Sequence, residues 1–161
     1  GEAESAGGLE TLTLLETNID NMTGEAHGYV VEKLLAAGAL DAYLAPIVMK
    51  KGRPAVVLSV LCRPVDATRL RQLVFTETTT LGIRQSEVRR YCLPRTFAVA
   101  RTPYGDIRIK IATWEGGEKA APEYEDCRAA AEKHGVPLLK VYEAAVLGWQ
   151  SDSDRGAAEG H

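Results

Sequence analysis

Cysteine and histidine are scarce, with three of each in the chain. Cys62, Cys92 and Cys127 are odd in number and far apart. That spacing excludes a disulfide framework and a zinc knuckle, and it favours a reducing compartment, the cytoplasm. No Ser-His-Asp or Cys-His order can be defended, so no catalytic residue is named. Aromatics make up only 6% and net charge is −3, which excludes the basic field and stacking motifs of a nucleic-acid binder. No apolar run approaches the roughly 20 residues that span a membrane. No signal peptide is visible in the small, polar opening GEAESAGG. The first residue is not Met, which fits a domain excised from a longer protein or a processed amino terminus. What remains is a 161-residue chain, 45% hydrophobic and 25% charged, enough for one ordinary domain or one domain with a small appendage.

The stretch Leu12–Glu25, LTLLETNIDNMTGE, is the most informative. Its apolar residues and threonines predict a strand. Glu16, Asn18 and Asp20 alternate with Leu15, Thr17 and Ile19, so the three oxygen-bearing side chains share one face at ~7 Å intervals. Glu25 opens a helix just beyond. Such oxygen donors suit a hard divalent cation; a solvent-facing polar strand followed by a helix cap explains the same residues.

The rest of the chain reads as an ordered series. Residues 1–8 are linker. A strand over 9–20 is followed by a helix over 24–37 that Gly38 stops. Within that helix Ala26 and Gly28 keep the first turn slim, for close packing or for a ligand at the positive end. Strands over 42–50 and 55–62 flank the turn Lys51-Gly52-Arg53-Pro54. Asp66 is the expected cap of a helix over 67–77, and a fourth strand covers 83–93. The order βαββαβ predicts an α+β fold, the ferredoxin-like split βαβ with two helices on one face of an antiparallel sheet. A β-hairpin (96–101 and 107–113), a polar break over 115–121 and two short helices follow as a small appendage. The expected division is linker 1–8, ferredoxin-like nucleotide-binding domain 9–95, hairpin and helical subdomain 96–149, and flexible tail 150–161.

Three further segments carry candidate chemistry. Lys50, Lys51 and Arg53 surround a glycine and can neutralise phosphate, or form a solvated hairpin tip. Thr78, Thr79 and Thr80, with Arg84 nearby, offer hydroxyl and N–H donors to an anion, and Glu77 could assist a metal or ribose; a frayed helix end would use the same threonines. The P-loop pattern is absent. Glu123, Glu125 and Asp126 complement a helix dipole; metal ligation, or stacking on Tyr124, is the functional counterpart. His27 and His134 show no pairing.

Taken together, LLETNIDNMTGEAHGYVVEKLLAAGALDAYLAPIVMKKGRP, FTETTTLGIRQSEVRRYCLPR, TPYGDIRIKIA and PEYEDCRAAAEKHGVPLLKVYEAA resemble the C-terminal domain of the proteins that insert nickel into the nickel-pincer nucleotide cofactor of lactate racemase. The resemblance covers roughly Leu12–Ala145. Asn21 departs from the acidic residue expected there, which weighs against a metal role for position 21. The resemblance implies a CTP-dependent cyclometallase that releases a monophosphate and pyrophosphate. It places nickel in a pyridinium mononucleotide bearing two thiocarboxylates. It also implies a histidine-rich, nickel-carrying N-terminal domain as partner, a homo-oligomer (trimer or hexamer), and a domain that lacks full activity alone. On this reading Asp20, Glu16 or Glu25 hold Mg2+ or Mn2+ with phosphate oxygens, Lys50, Lys51 and Arg53 neutralise the phosphates, and Thr78, Thr79, Thr80 and Arg84 cradle them. The competing accounts are a non-catalytic nucleotide-sensing module and an oligomerisation module.

Overall fold

The computed structural model describes residues 4–5 and 7–159. Its elements are β1 (Glu4–Ser5), β2 (Gly8–Ile19), α1 (Gly24–Ala36), β3 (Asp41–Met49), β4 (Arg53–Cys62), α2 (Ala67–Glu77), β5 (Arg84–Cys92), β6 (Arg95–Thr102), β7 (Gly105–Trp114), β8 (Gly117–Pro122), α3 (Tyr124–His134) and α4 (Leu138–Glu159). The chain divides into two compact units, one over Leu9–Arg90 and the other combining Gly1–Gly8 with Tyr91–His161.

The first unit holds a four-stranded sheet in the order β3-β4-β2-β5. With α1 after β2 and α2 after β4, this is the ferredoxin-like βαββαβ arrangement expected from the sequence. Antiparallel register places Leu15 opposite Val60, Thr17 opposite Leu58 and Ile19 opposite Val56. Alternation puts these side chains on one face. There Leu15, Ile19, Leu58 and Val60 join Val30 and Leu34 of α1 and Leu70 and Val74 of α2 in a buried cluster, with Val56 half-buried against it. Val30 and Leu34 are four apart, and so are Leu70 and Val74, the spacing that aligns side chains on one helical face. Thr23 caps α1 by accepting from the Ala26 N–H at 3.3 Å.

Asp66 was expected to cap α2, but its side chain makes no capping bond. Its carboxylate turns instead to Arg63 (3.1 Å) and Arg69 (2.9 Å). A charged partner on each side outweighs a bond to a neutral backbone N–H.

The second unit holds a second sheet in the order β1-β6-β7-β8. Ala100, Ile107 and Ile109 pack there with Cys127, Ala130 and Ala131 of α3 and Val141 and Ala145 of α4. Three differences from the sequence reading lie in this unit. Within the opening stretch read as linker, Glu4–Ser5 pairs with Thr96 and Arg95. The polar break over 115–121 contains β8, because Gly116 and Gly117 turn the chain back and Ala120 and Ala121 lie opposite Ile111 and Lys110. The stretch read as tail continues α4 as far as Glu159, since no proline follows Pro137 to interrupt it. Residues 1–3, 6 and 160–161 of the linker and tail lie outside the described residues. The unit boundary after Arg90 falls inside β5, before the domain limit expected at residue 95.

Among the described residues no helix is long and apolar enough to cross a membrane.

Candidate functional site

The end of β2 and the hairpin between β3 and β4 come together in the first unit. Asp20 follows the last residue of β2, and Arg53 is the first of β4. With Asn21 and Pro54 they line an open cleft of about 390 Å³. Lys50 and Lys51 form the tight turn that leads into Arg53. Lys51 has φ 63° and ψ 23°, left-handed backbone that costs a residue with a Cβ roughly 1–2 kcal/mol. All of these residues are exposed. One candidate carboxylate and three candidate phosphate-binding cations thus converge on one end of the sheet, although they are separated by some thirty positions of sequence (residues 20 and 50–53).

A second polar group lies farther along the same sheet face. Arg84 of β5 donates from Nη2 to Asn18 Oδ1 at 3.1 Å and approaches Glu16 Oε2 at 3.9 Å. Glu16 and Asn18 therefore share a face, as alternation predicts. That face lies opposite the buried cluster, because Leu15, Thr17 and Ile19 point into it.

The three expected metal ligands are not gathered. Asp20 lies four positions beyond Glu16, about 13 Å at the usual strand rise, too far for one cation to bind both. Glu25 is an exposed residue of the first turn of α1. Among the described residues no three His, Cys, Asp or Glu side chains form a metal-holding group. The donors at the cleft are the oxygens of Asp20 and Asn21, which match a hard cation in kind but supply fewer than the six or more ligands such an ion takes.

The threonine segment is mostly committed to the fold. Thr78 Oγ1 donates to the Val74 carbonyl at 2.8 Å and so satisfies the end of α2. Thr80 Oγ1 lies 2.5 Å from Thr17 Oγ1, and the Gly82 carbonyl lies 3.0 Å from the first and 2.7 Å from the second, so one hydroxyl donates to the other and the second donates to the carbonyl. Thr79 is exposed. Glu77 is taken by Lys33 at 2.6 Å, and this bond raises the Lys33 pKa above the ordinary lysine value. Gly28 is not a close-packing glycine, since a Cβ there would meet nothing within 4 Å.

In the second unit the acidic helix start is structural. Asp126 accepts from Arg108 N and Nε with one oxygen and from Nη2 with the other, at 2.9–3.0 Å. These bonds hold its carboxyl below the usual range. Glu123 pairs with Lys110 at 3.6 Å and Glu125 with Arg128 at 2.9 Å. His134 meets the Tyr104 ring edge-on at 5.7 Å. Burial pushes the Cys127 and Cys62 thiols up, so neither is an activated nucleophile. A larger open cleft of about 690 Å³, between Arg101 and Pro103 on one side and Leu147 and Ser151 of α4 on the other, contains none of the residues the sequence singled out.

Sequence reasoning passed over Tyr43 and Ser59, which lie in the row of Glu16. Only cross-strand register reveals that row, with Glu16 opposite Ser59 and Ser59 opposite Tyr43.

Comparison with known proteins gives this site its context. The profile of the nickel insertion protein family matches residues 2–142. The pyridinium-3,5-bisthiocarboxylic acid mononucleotide nickel insertion protein of Lactiplantibacillus plantarum is 43% identical over 138 residues, covering 86% of this chain and 33% of that protein. Its namesake in Clostridium acetobutylicum is 44% identical over 145 residues, covering 89% and 34%. The chain therefore spans about a third of the length of these relatives. Among solved structures, the apo C-terminal domain of a cyclometallase involved in synthesis of the NPN cofactor of lactate racemase superposes with TM-score 0.79. Identity is 42%, and 88% of this chain and 99% of that one are covered. A Methanopyrus kandleri protein superposes with TM-score 0.59 at 28% identity, covering 88% and 90%. With its ferredoxin-like unit, its second sheet and nearly its whole length matched in this way, the chain belongs to the nickel insertion protein family and corresponds to the C-terminal domain of its members.

Proposed function

We propose that this chain is the CTP- and divalent-metal-binding C-terminal domain of an enzyme that inserts nickel into pyridinium-3,5-bisthiocarboxylic acid mononucleotide, making the nickel-pincer nucleotide cofactor of lactate racemase. The observation that carries the reading is the convergence of Asp20 with Arg53 in one cleft beside Lys50 and Lys51. The names of the relatives supply the substrate and the reaction class, that of a cyclometallase. Nickel is the metal substrate, brought by an N-terminal domain of the same protein, and the isolated domain is not fully active. The setting is a cytoplasmic homo-oligomer, a trimer or hexamer.

The residues divide the work by chemistry. Arg53 offers a planar fork to a phosphate, and Lys50 and Lys51 offer point charges. Asp20 would supply oxygen to Mg2+ or Mn2+, together with phosphate oxygens and water. Bound there, the cation neutralises phosphate charge and orients the triphosphate. Thr79 and Arg84 remain available to the ligand, while Thr78 and Thr80 act through the shape of the loop they brace. Glu16 and Glu25 are outside the Asp20 cation shell on this reading.

Calorimetric titration tests the proposal. CTP, ATP, GTP and UTP are compared with Mn2+ and with chelator. The expected result is metal-dependent binding of CTP that Asp20→Ala and Lys50→Ala weaken. Folded protein that binds no nucleotide would overturn the reading in favour of an assembly module. Metal-independent binding without turnover in the full-length enzyme would favour a nucleotide sensor.

A further inference from the structure

The larger cleft of the second unit is walled by the end of β6 and one stripe of α4. Ala144, Leu147, Gly148, Ser151 and Asp152 line it from the helix, at spacings of three and four that put them on one helical face. Arg101 and Pro103 line it from the strand side. The helix comes close here because residue 148 is glycine: a Cβ would stand 2.9 Å from the Arg101 carbonyl oxygen. Ala144 and Gly148 are half-buried and form the floor, while Leu147, Ser151 and Asp152 are exposed at the rim. The turn after β6 is braced, with Thr102 Oγ1 donating to the Gly105 carbonyl at 2.6 Å and accepting from the Tyr104 N–H at 3.0 Å. Arg101 lies opposite Asp106 in the strand register. The described ion pairs of this unit nevertheless join Arg108 to Asp126, Lys110 to Glu123, and Arg128 to Glu125 and Glu132, and none of them engages Arg101.

We propose that this cleft is the binding site for the pyridinium mononucleotide, with its phosphate on Arg101 and Ser151 and its ring against Leu147 and Pro103. The inference rests on the substrate named in the preceding reading and adds a place for it. That reaction takes two nucleotides, and the cleft of Asp20 and Arg53 accounts for the triphosphate alone. Size supports the assignment. A volume of about 690 Å³ lies within the roughly 300–1,000 Å³ of small-molecule sites. The cavity between Ile109, Pro122 and Trp149 holds only about 230 Å³ and has no charged lining. The chemistry supports it too. A guanidinium offers paired N–H donors that match a phosphate, and the Ser151 hydroxyl can donate beside it. A carboxylate has about four lone-pair sites, so Asp152 can accept from a sugar hydroxyl in addition to any bond it already makes. Its negative charge also suits the positive ring nitrogen. Leu147, 64% exposed, gains from being covered by a flat ring.

The test uses nicotinic acid mononucleotide, a pyridinium mononucleotide bearing one carboxylate, and its phosphate-free riboside. Wild type, Arg101→Ala and Leu147→Glu are titrated with each, and separately with CTP and Mn2+. Arg101→Ala is expected to weaken the mononucleotide about ten-fold, the scale of a hydrogen bond to a charged group, and to leave the riboside unchanged. Leu147→Glu is expected to weaken the mononucleotide about five-fold by like-charge repulsion. CTP affinity should be unchanged in both variants. Circular dichroism confirms that each variant is folded. Wild type that binds no nicotinic acid mononucleotide, or equal mononucleotide affinity in wild type and Arg101→Ala, overturns the assignment; CTP bound by the same preparation leaves the triphosphate cleft standing. Failure of CTP to bind, with Arg101-dependent mononucleotide binding intact, overturns the triphosphate reading and upholds this one.

Discussion

Arg69 ties Asp66 to the end of α1: its Nη2 donates to the Asp66 carboxylate at 2.9 Å and to the Ala37 carbonyl at 2.7 Å. With Arg63 on its other side, the Asp66 carboxylate joins the start of α2 to the end of α1. The Arg69 bond, followed by the charge of Arg63, lowers the Asp66 pKa below the ordinary aspartate value. A carboxyl lowered in the folded state stabilises the fold above its unfolded pKa of about 3.9, and that contribution is lost as pH falls through the lower folded value. Asp66→Asn should therefore melt at a lower temperature than wild type at neutral pH. The gap should close as melts are repeated down through the carboxylate range. An equal gap at every pH would show that the pair acts by shape alone.

Lys51 pairs a backbone cost with a useful charge. Its left-handed conformation suits glycine better than lysine. Lys51→Gly is expected to raise stability by roughly 0.5–1 kcal/mol, after allowing for the greater freedom of glycine in the unfolded chain. The same variant should bind CTP about five-fold more weakly, since one exposed charge facing phosphate contributes on the order of 1 kcal/mol. Urea denaturation and calorimetry on one preparation read both effects.

Leu34 is fully buried among Val30, Leu70 and Val74. Leu34→Ala should cost about 2–5 kcal/mol, the sum of lost transfer energy and a cavity. Both tryptophans, Trp114 and Trp149, lie outside Leu9–Arg90, so the denaturation should be followed by a signal that reads α1 and α2 directly. Far-UV circular dichroism is the proper probe.

Two helical glycines should respond oppositely to alanine. At Gly148 a Cβ would stand 2.9 Å from the Arg101 carbonyl oxygen, a backbone atom of β6 that cannot turn aside. Gly148→Ala is expected to cost about 1–3 kcal/mol. At Gly28 the space is open, so Gly28→Ala should stabilise α1 by about 0.5–1 kcal/mol through helix propensity. Thermal melts of the two variants check both signs.

Asp126 and Arg108 lock α3 to β7 through three hydrogen bonds. Asp126→Ala should cost about 1 kcal/mol, because Arg108 is nearly half exposed and the pair is screened by water. As with Asp66, the lowered carboxyl pKa places that contribution above the ordinary aspartate range and removes it in acid.

The fold of the first unit was legible from residue order alone. Alternation in Leu15-Glu16-Thr17-Asn18-Ile19 declares a strand with one buried face, and the four-residue spacing of Leu70 and Val74 declares a helix. Both periods follow from backbone geometry that every residue shares. Turn chemistry around Gly52 and Gly135 was readable for the same reason. β8 was hidden because its residues 117–122 show no alternation of their own and become a strand only by pairing with β7. The fate of side chains with two competing partners was decided by tertiary structure. Asp66 left its helix for two arginines, Glu77 went to Lys33, and Thr80 was drawn to Thr17 because a buried hydroxyl requires a partner. The candidate site divides along the same line. Local sequence named Asp20, Lys50, Lys51 and Arg53, since each type of chemistry shows in a short stretch. That Asp20 shares a cleft with Arg53, while Glu16 instead lies in one cross-strand row with Ser59 and Tyr43, is set by the register of β2, β4 and β3. Register is a long-range property, in which one residue of slip would turn every side chain to the opposite face.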